Sequence, residues 1–113
     1  MDLILTRIRS QRIANQFAGF EISASTHSIA TSYYYAKKEL KISNEDFRVF
    51  INSINPISVN KATLDYAFEI ANGNDLEDAI QISACKQAGI QKFATADKKL
   101  AKLYSDTLTI VLI

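Results

Sequence analysis

The chain has 113 residues, 48% of them hydrophobic and 22% charged, with a formal net charge of +1. That length suits one domain with a workable core, the apolar share argues against disorder, and the near-neutral charge leaves any nucleic-acid contact to a local basic patch. One cysteine, Cys85, excludes an internal disulfide, and no apolar run approaches the ~20 residues of a membrane span, so a cytoplasmic protein without a membrane partner is expected.

Leu3 to Leu5 is a short apolar run that reads as a strand or as a helix start, too short for the core of a secretory signal. Arg7 to Phe20 carries apolar marks at Ile8, Ile13, Ala14, Phe17 and Ala18, which fit one helical face that Gly19 helps to end. Phe20 to Ala24 alternates apolar and polar residues, a strand pattern. Thr26 or Ser28 caps a helix running to about Leu40, with Ile29, Ala30, Tyr33, Tyr34 and Leu40 on its apolar side. Lys37 and Lys38 sit near its C-terminal end, where the dipole favours cations. Ser43, followed by Glu45 and Asp46, starts a helix with the stripe Phe47, Phe50, Ile51 and Ile54, ended after Asn55 by Pro56.

Ile57 to Val59 is the next strand candidate. Asn60 caps a helix through Ala71, with Ala62, Leu64, Ala67, Phe68 and Ala71 on its apolar side. Asn72, Gly73 and Asn74 form a loop. Asn74 or Asp75 caps a helix with the inner face Leu76, Ala79, Ile80, Ser83 and Ala84, stopped by Gly89. Lys92 to Thr95 reads as a strand, Ala96 to Tyr104 as a short helix, and Leu108 to Ile113 as a final buried strand. Strands alternating with helices predict an α/β fold with a parallel sheet and helices on both faces.

In such a sheet, sites form beyond the carboxyl ends of the strands. Asp97 falls there, after Lys92 to Thr95, and Asp78 lies in the first turn of the preceding helix. If the two elements are neighbours, both carboxylates converge on one sheet edge. Mg²⁺ and Mn²⁺ take oxygen ligands and often use only one or two carboxylates plus substrate phosphate. Thr95 can donate a hydrogen bond to Asp97 or to phosphate, and Lys98, Lys99 and Lys102 are the nearest candidates for backbone contact with RNA. The competing reading of each Asp is a helix cap or dipole residue. His27 reads as a surface or capping residue, Cys85 as a small core residue, and Tyr33, Tyr34 and Tyr35 as part core, part exposed. No zinc spacing, P-loop, dinucleotide fingerprint or nucleophile elbow occurs.

The run Asp75-Leu76-Glu77-Asp78-Ala79-Ile80-Gln81, then Ser83-Ala84, Ala88-Gly89 and Ala94-Thr95-Ala96-Asp97-Lys98-Lys99-Leu100, resembles the C-terminal half of PIN domains. Upstream, Ile22-Ser23-Ala24 through Ile29 to Tyr35 resembles the family's second strand and following helix. The resemblance implies a single PIN-like domain over residues 1–113, a three-layer fold with a small, mostly parallel sheet flanked by helices, its first strand short or missing. It implies a Mg²⁺- or Mn²⁺-dependent ribonuclease hydrolysing RNA phosphodiesters, of a kind often found as the toxin of a toxin–antitoxin pair, with an antitoxin protein as partner. The family's third and fourth acids map onto Asp78 and Asp97, with Asp75 and Glu77 as helpers and Thr95 as the hydroxyl beside the fourth. The second acid falls at about Thr31; the first falls at Thr6 if Leu3 to Leu5 is the first strand, or else that strand is absent and Asp2 matches a later acidic residue, and either way the family's Asp-Thr-Asn-like motif is missing. Two expectations stay open: Met1 lies downstream of the true start, or the chain is an inactive PIN-like interaction module that pairs with an antitoxin-like protein or with a second copy of itself.

Overall fold

The computed structural model describes residues 19 and 21–112. The expected strand at Leu3 to Leu5, nearly all of the expected helix from Arg7 to Phe20, and the first-acid positions lie outside the described residues, as does Ile113. The chain divides into two compact units, residues 1–56 and 57–113. Among the described residues the strands form two pairs, one in the first part of the chain and one in the last.

The first unit opens with β1 (Ile22–Ser25), whose last two residues, Ala24 and Ser25, are buried. Helix α1 (Thr26–Tyr35) follows without a loop. Its cap is Ser25, not Thr26 or Ser28: the Ser25 Oγ accepts the Ser28 N–H at 3.0 Å and donates to the Ser28 Oγ at 2.9 Å. The buried face of α1 is Ser28 and Ser32, continued by Ala36, while Tyr34 stays 73% exposed, so the expected apolar face was displaced around the helix. The helix then widens into a π-helical segment, Ala36–Leu40, closed by Lys41 in the left-handed region at φ 54°. Its widened loop is visible in the Lys41 N–H, which reaches back five residues to the Ala36 carbonyl, and the Ile42 N–H closes on the same oxygen at 3.1 Å.

Helix α2 (Asn44–Asn52) starts where expected, with the Ser43 hydroxyl accepting the Asp46 N–H at 3.1 Å. Phe47 is its buried anchor and stacks edge-on against Tyr33 at 5.4 Å between centroids. The Tyr33 hydroxyl donates to the Asn44 Oδ1 at 3.0 Å, which ties α1 to the start of α2. The helix ends at Asn52, and β2 (Ile54–Ile57) begins at once and pairs with β1. The strand therefore lies three residues earlier than the expected Ile57 to Val59. Pro56 does not stop the helix but sits inside the strand, and it holds Asn55 before it in extended backbone.

The second unit is built on α3 (Lys61–Ala71) and α4 (Leu76–Gln87), which lie against each other. Asn60 and Thr63 close a capping box: each side-chain oxygen accepts the other residue's backbone N–H at 3.1 Å. The seam between the helices is made of small residues. Thr63, Ala67 and Ala71 are buried on α3, and Ala79, Ser83 and Ala84 on α4. The Ser83 hydroxyl donates to the Thr63 carbonyl at 2.8 Å, and the Thr63 hydroxyl donates to the Gln87 Oε1. This corrects the expected apolar face of α3: Phe68 is 63% exposed and Leu64 and Ala62 are exposed, because the helix turns its small side toward α4.

Helix α4 ends in a left-handed Gly89 at φ 72°, with the Ile90 N–H bonded to the Cys85 carbonyl at 2.9 Å, the closing bond of a Schellman cap. Strand β3 (Lys92–Thr95) has the expected bounds. Helix α5 (Lys98–Leu103) is shorter than Ala96 to Tyr104, since Asp97 is its cap. Strand β4 (Thr109–Leu112) runs parallel to β3, with Thr95 opposite Leu112. One core joins these elements: Ala67, Ala79, Ile80, Ile82, Leu100, Tyr104 and Leu108, with Phe93 and Ile110 packed against it.

The seam makes a contrast that stability measurements can read. Ala67 has no exposed surface, so Ala67→Leu is expected to cost about 1–3 kcal/mol by overpacking. Phe68→Ala, on the open side of the same helix, is expected to stay within about 0.5 kcal/mol of the parent. Urea unfolding of the two variants checks this; a costly Phe68→Ala with a silent Ala67→Leu would place the packing face wrongly.

Candidate metal centre

The acidic end of α4 and the turn after β3 belong to the same unit and the same core. Asp75 is the α4 cap: its Oδ1 accepts the Asp78 N–H at 3.2 Å. Glu77 and Asp78 occupy the first turn, where the helix dipole suits carboxylates. Asp78 is half-buried. Its carboxyl is held above the ordinary value of 3.8, first by burial and then by the neighbouring charges of Asp75, Asp97 and Glu77. The presence of Asp97 among those charges places the end of α4 and the turn after β3 within electrostatic reach of each other.

Asp97 is exposed and fixed by its own backbone contacts. Its Oδ1 accepts the Lys99 N–H at 2.9 Å and the Leu100 N–H at 3.1 Å. Its Oδ2 has no hydrogen-bond partner among the described residues, and it is the atom left to meet a ligand. Thr95 is buried, and its hydroxyl accepts the Asp97 N–H at 3.0 Å. The Thr95 hydroxyl thus orients the Asp97 backbone, and its own proton remains to be donated. Lys98, Lys99 and Lys102 are exposed around this turn.

Among the described residues no three His, Cys, Asp or Glu side chains form a group able to hold a metal ion by themselves. Asp75, Asp78 and Asp97 are therefore not a ready three-ligand cage. A hard, hydrated cation needs only one or two carboxylates and takes its other oxygens from water or phosphate. The repulsion felt by Asp78 is what a divalent cation between the carboxylates relieves. Tyr104, which reads in the sequence only as the last residue of a helix, is buried here, and its phenol is pushed up by burial and by the charges of Asp78 and Asp75. No pattern of residue types marks it, because its place comes from the short turn after α5.

Other residues are less suited to chemistry. Burial pushes the Cys85 thiol up to about 11, so it stays protonated at neutral pH and acts as a packing residue. In the first unit, a groove of about 430 Å³ opens between α1 and α2, lined by Ile29, Tyr33, Phe47, Arg48 and Ile51 with two asparagines and no carboxylate. Among the described residues no helix is long and apolar enough to cross a membrane.

The sequence model of the PIN domain matches residues 1–105, and the chain belongs to that family, a nuclease-type family whose members generally depend on divalent metal and act on RNA. No curated protein matches the chain.

The raised Asp78 carboxyl has a signed consequence. The folded state holds this proton more tightly than the unfolded state, so ionising Asp78 opposes folding as pH rises from 3.8 through its higher folded value. Asp78→Asn is therefore expected to gain stability relative to the parent between pH 3.8 and neutral pH in cation-free buffer. Paired urea titrations at the two pH values read the difference; a parent that gains on the variant with rising pH contradicts the assignment.

Proposed function

We propose that this chain is a PIN-type endoribonuclease in which Asp78 and Asp97 hold a Mg²⁺ or Mn²⁺ ion. The observation that carries the reading is the Asp78 carboxyl on α4, held up by burial and by Asp75 and then by the charge of Asp97 on the turn after β3. Lys99 meets Asp97 through its backbone N–H, which leaves the lysine charge outward. A bound divalent ion supplies Lewis-acid polarisation of a phosphodiester and a more acidic water.

The residues divide the work. Asp97 is locked by two backbone N–H groups, so its free oxygen stays aimed without further ordering. Asp78 is half-buried on a capped helix turn, which keeps its carboxylate from retreating into solvent. Thr95 sets the Asp97 backbone and keeps a donor for phosphate. Lys98 and Lys99 hold the RNA backbone by charge, a contact that positions the strand without reading its sequence. The finer reading, a toxin restrained by an antitoxin protein, is supported by the resemblance to the family alone and uses the same site.

With Mn²⁺ and single-stranded RNA, the purified chain is expected to cut internal phosphodiesters. Asp97→Asn keeps the capping geometry and is expected to lose more than about 100-fold in rate, beyond the cost of losing an outer-shell partner. Lys98→Ala with Lys99→Ala is expected to weaken RNA binding and flatten its salt dependence while Mn²⁺ binding is retained. Gel-resolved cleavage and RNA binding over a salt series measure both. RNA left intact by parent and Asp97→Asn alike would remove the nuclease reading and leave the interaction-module alternative.

A further inference from the structure

The groove between α1 and α2 takes no part in the chemistry proposed above. It holds about 430 Å³, and its described lining comes entirely from the first unit. Two side-chain contacts hold the helices on either side of it. The Phe47 ring meets the Tyr33 ring edge-on at 5.4 Å, and the Tyr33 hydroxyl donates to the Asn44 Oδ1 at 3.0 Å. Ile29, Phe47 and Ile51 give the groove an apolar base beside the Tyr33 ring.

One edge is polar and regular. Asn44, Arg48 and Asn52 lie four residues apart on α2, a ridge with steps of roughly 6 Å along the helix axis. Tyr33 fixes the Asn44 amide by its oxygen, and among the described residues the amide nitrogen donates to nothing. Among the same residues the Arg48 guanidinium makes no ion pair and the Asn52 amide no hydrogen bond. Lys37 adds a second cation, its Nζ 5.9 Å from the Tyr33 ring centroid. Glu45 and Asp46, in the first turn of α2, are exposed, and no carboxylate is part of the described lining.

These groups ask for different things of one ligand. The cations ask for an anion, and the apolar base asks for a flat ring. A carboxamide offers a donor and an acceptor in one plane, which matches the edge of a nucleobase. A guanidinium pairs with phosphate or stacks on a base. An amphipathic peptide helix would lay apolar anchors along the groove and strand the polar groups of the ridge. We propose that the groove holds an unpaired nucleotide of single-stranded RNA, with the base on Ile29, Phe47 and Ile51, its edge on the carboxamides and its phosphate on Arg48. A duplex keeps its bases stacked and offers the groove phosphate alone. The contact uses no residue of the Asp78 and Asp97 centre and needs no divalent cation.

The test uses the full chain in buffer with a chelator, so that no metal-dependent cleavage intervenes. The probes are single-stranded oligoadenylate, an RNA duplex of the same length, and an oligoglutamate peptide of matched charge. Amide chemical shifts locate each contact. Oligoadenylate is expected to move the amides that line the groove, and the duplex and the peptide are expected to move them little. Arg48→Ala and Asn52→Ala change exposed side chains, so folding is expected to hold. Both are expected to weaken the single-strand contact, Arg48→Ala by about tenfold, the scale of one charge-assisted hydrogen bond. Silent groove amides, or Arg48→Ala binding as tightly as the parent, overturn the proposal whatever the chain does to RNA once metal is supplied. Equal shifts with oligoglutamate overturn it in favour of an acidic peptide, and equal shifts with the duplex remove the base from the contact. Groove shifts that follow protein concentration alone assign the groove to a second copy of this chain instead. A parent that binds here yet never cuts RNA with Mn²⁺ supports this site and strikes only the metal centre.

Discussion

The second unit depends on how closely α3 and α4 approach each other. Thr63, Ala67 and Ala71 face Ala79, Ser83 and Ala84, and the Ser83 hydroxyl bonds directly to the Thr63 carbonyl. Small side chains allow that approach, and the capping box at Asn60 and Thr63 sets where α3 begins. The remaining sides of α4 carry Ile80 and Ile82 into the core shared with Leu100, Tyr104 and Leu108. The helix is therefore held on several sides, and its acidic first turn has no freedom to swing away from the turn after β3.

That confinement decides a contest of energies. Burying a side chain such as Ile80 or Ile82 is worth about 1.5–3 kcal/mol. Two like charges a few ångströms apart in largely aqueous surroundings repel by about 1 kcal/mol. The core outweighs the repulsion, so Asp78 stays within the field of Asp97 although that charge disfavours its ionised form. A fold that spends packing energy in this way holds negative charge in place at the start of α4.

The parts legible in the sequence are those governed by neighbours in the chain. The caps at Ser43, Asn60 and Asp75 and the glycine stop at Gly89 are contacts over a few residues, and the structure has them where the residue types put them. The bounds of Lys92 to Thr95 follow from the breakers on either side. What failed depends on distant partners. The buried face of α3 is a line of small residues, and a reading weighted by hydrophobic size assigns Leu64 and Phe68 inward. Pro56 reads as a helix stop, although its restriction on Asn55 serves a strand equally well. The π-helical turn at Ala36–Leu40 and the buried oxygen of Tyr104 have no local signature at all. For the site, Asp78 and Asp97 were candidates from position in the chain, and the influence of Asp97 on Asp78 depends on α4 and β3 sharing a core.

An aspartate at a helix start invites a choice between capping and metal ligation, and at Asp97 the cap occupies one oxygen only. Its Oδ1 accepts two backbone N–H groups, which fixes the carboxylate plane against the start of α5. Thr95 fixes the backbone from the other side through the Asp97 N–H. A carboxylate tied at one oxygen has lost most of its rotamer freedom before any ligand arrives, so binding at Oδ2 costs less ordering than it would for a free side chain. Capping is then the device that aims the ligand. The same logic extends to Asp75, whose Oδ1 secures the Asp78 N–H and so the turn that presents Asp78. Removing the charge while keeping the cap, as asparagine does at Asp97, separates the observed cap from the proposed cation contact.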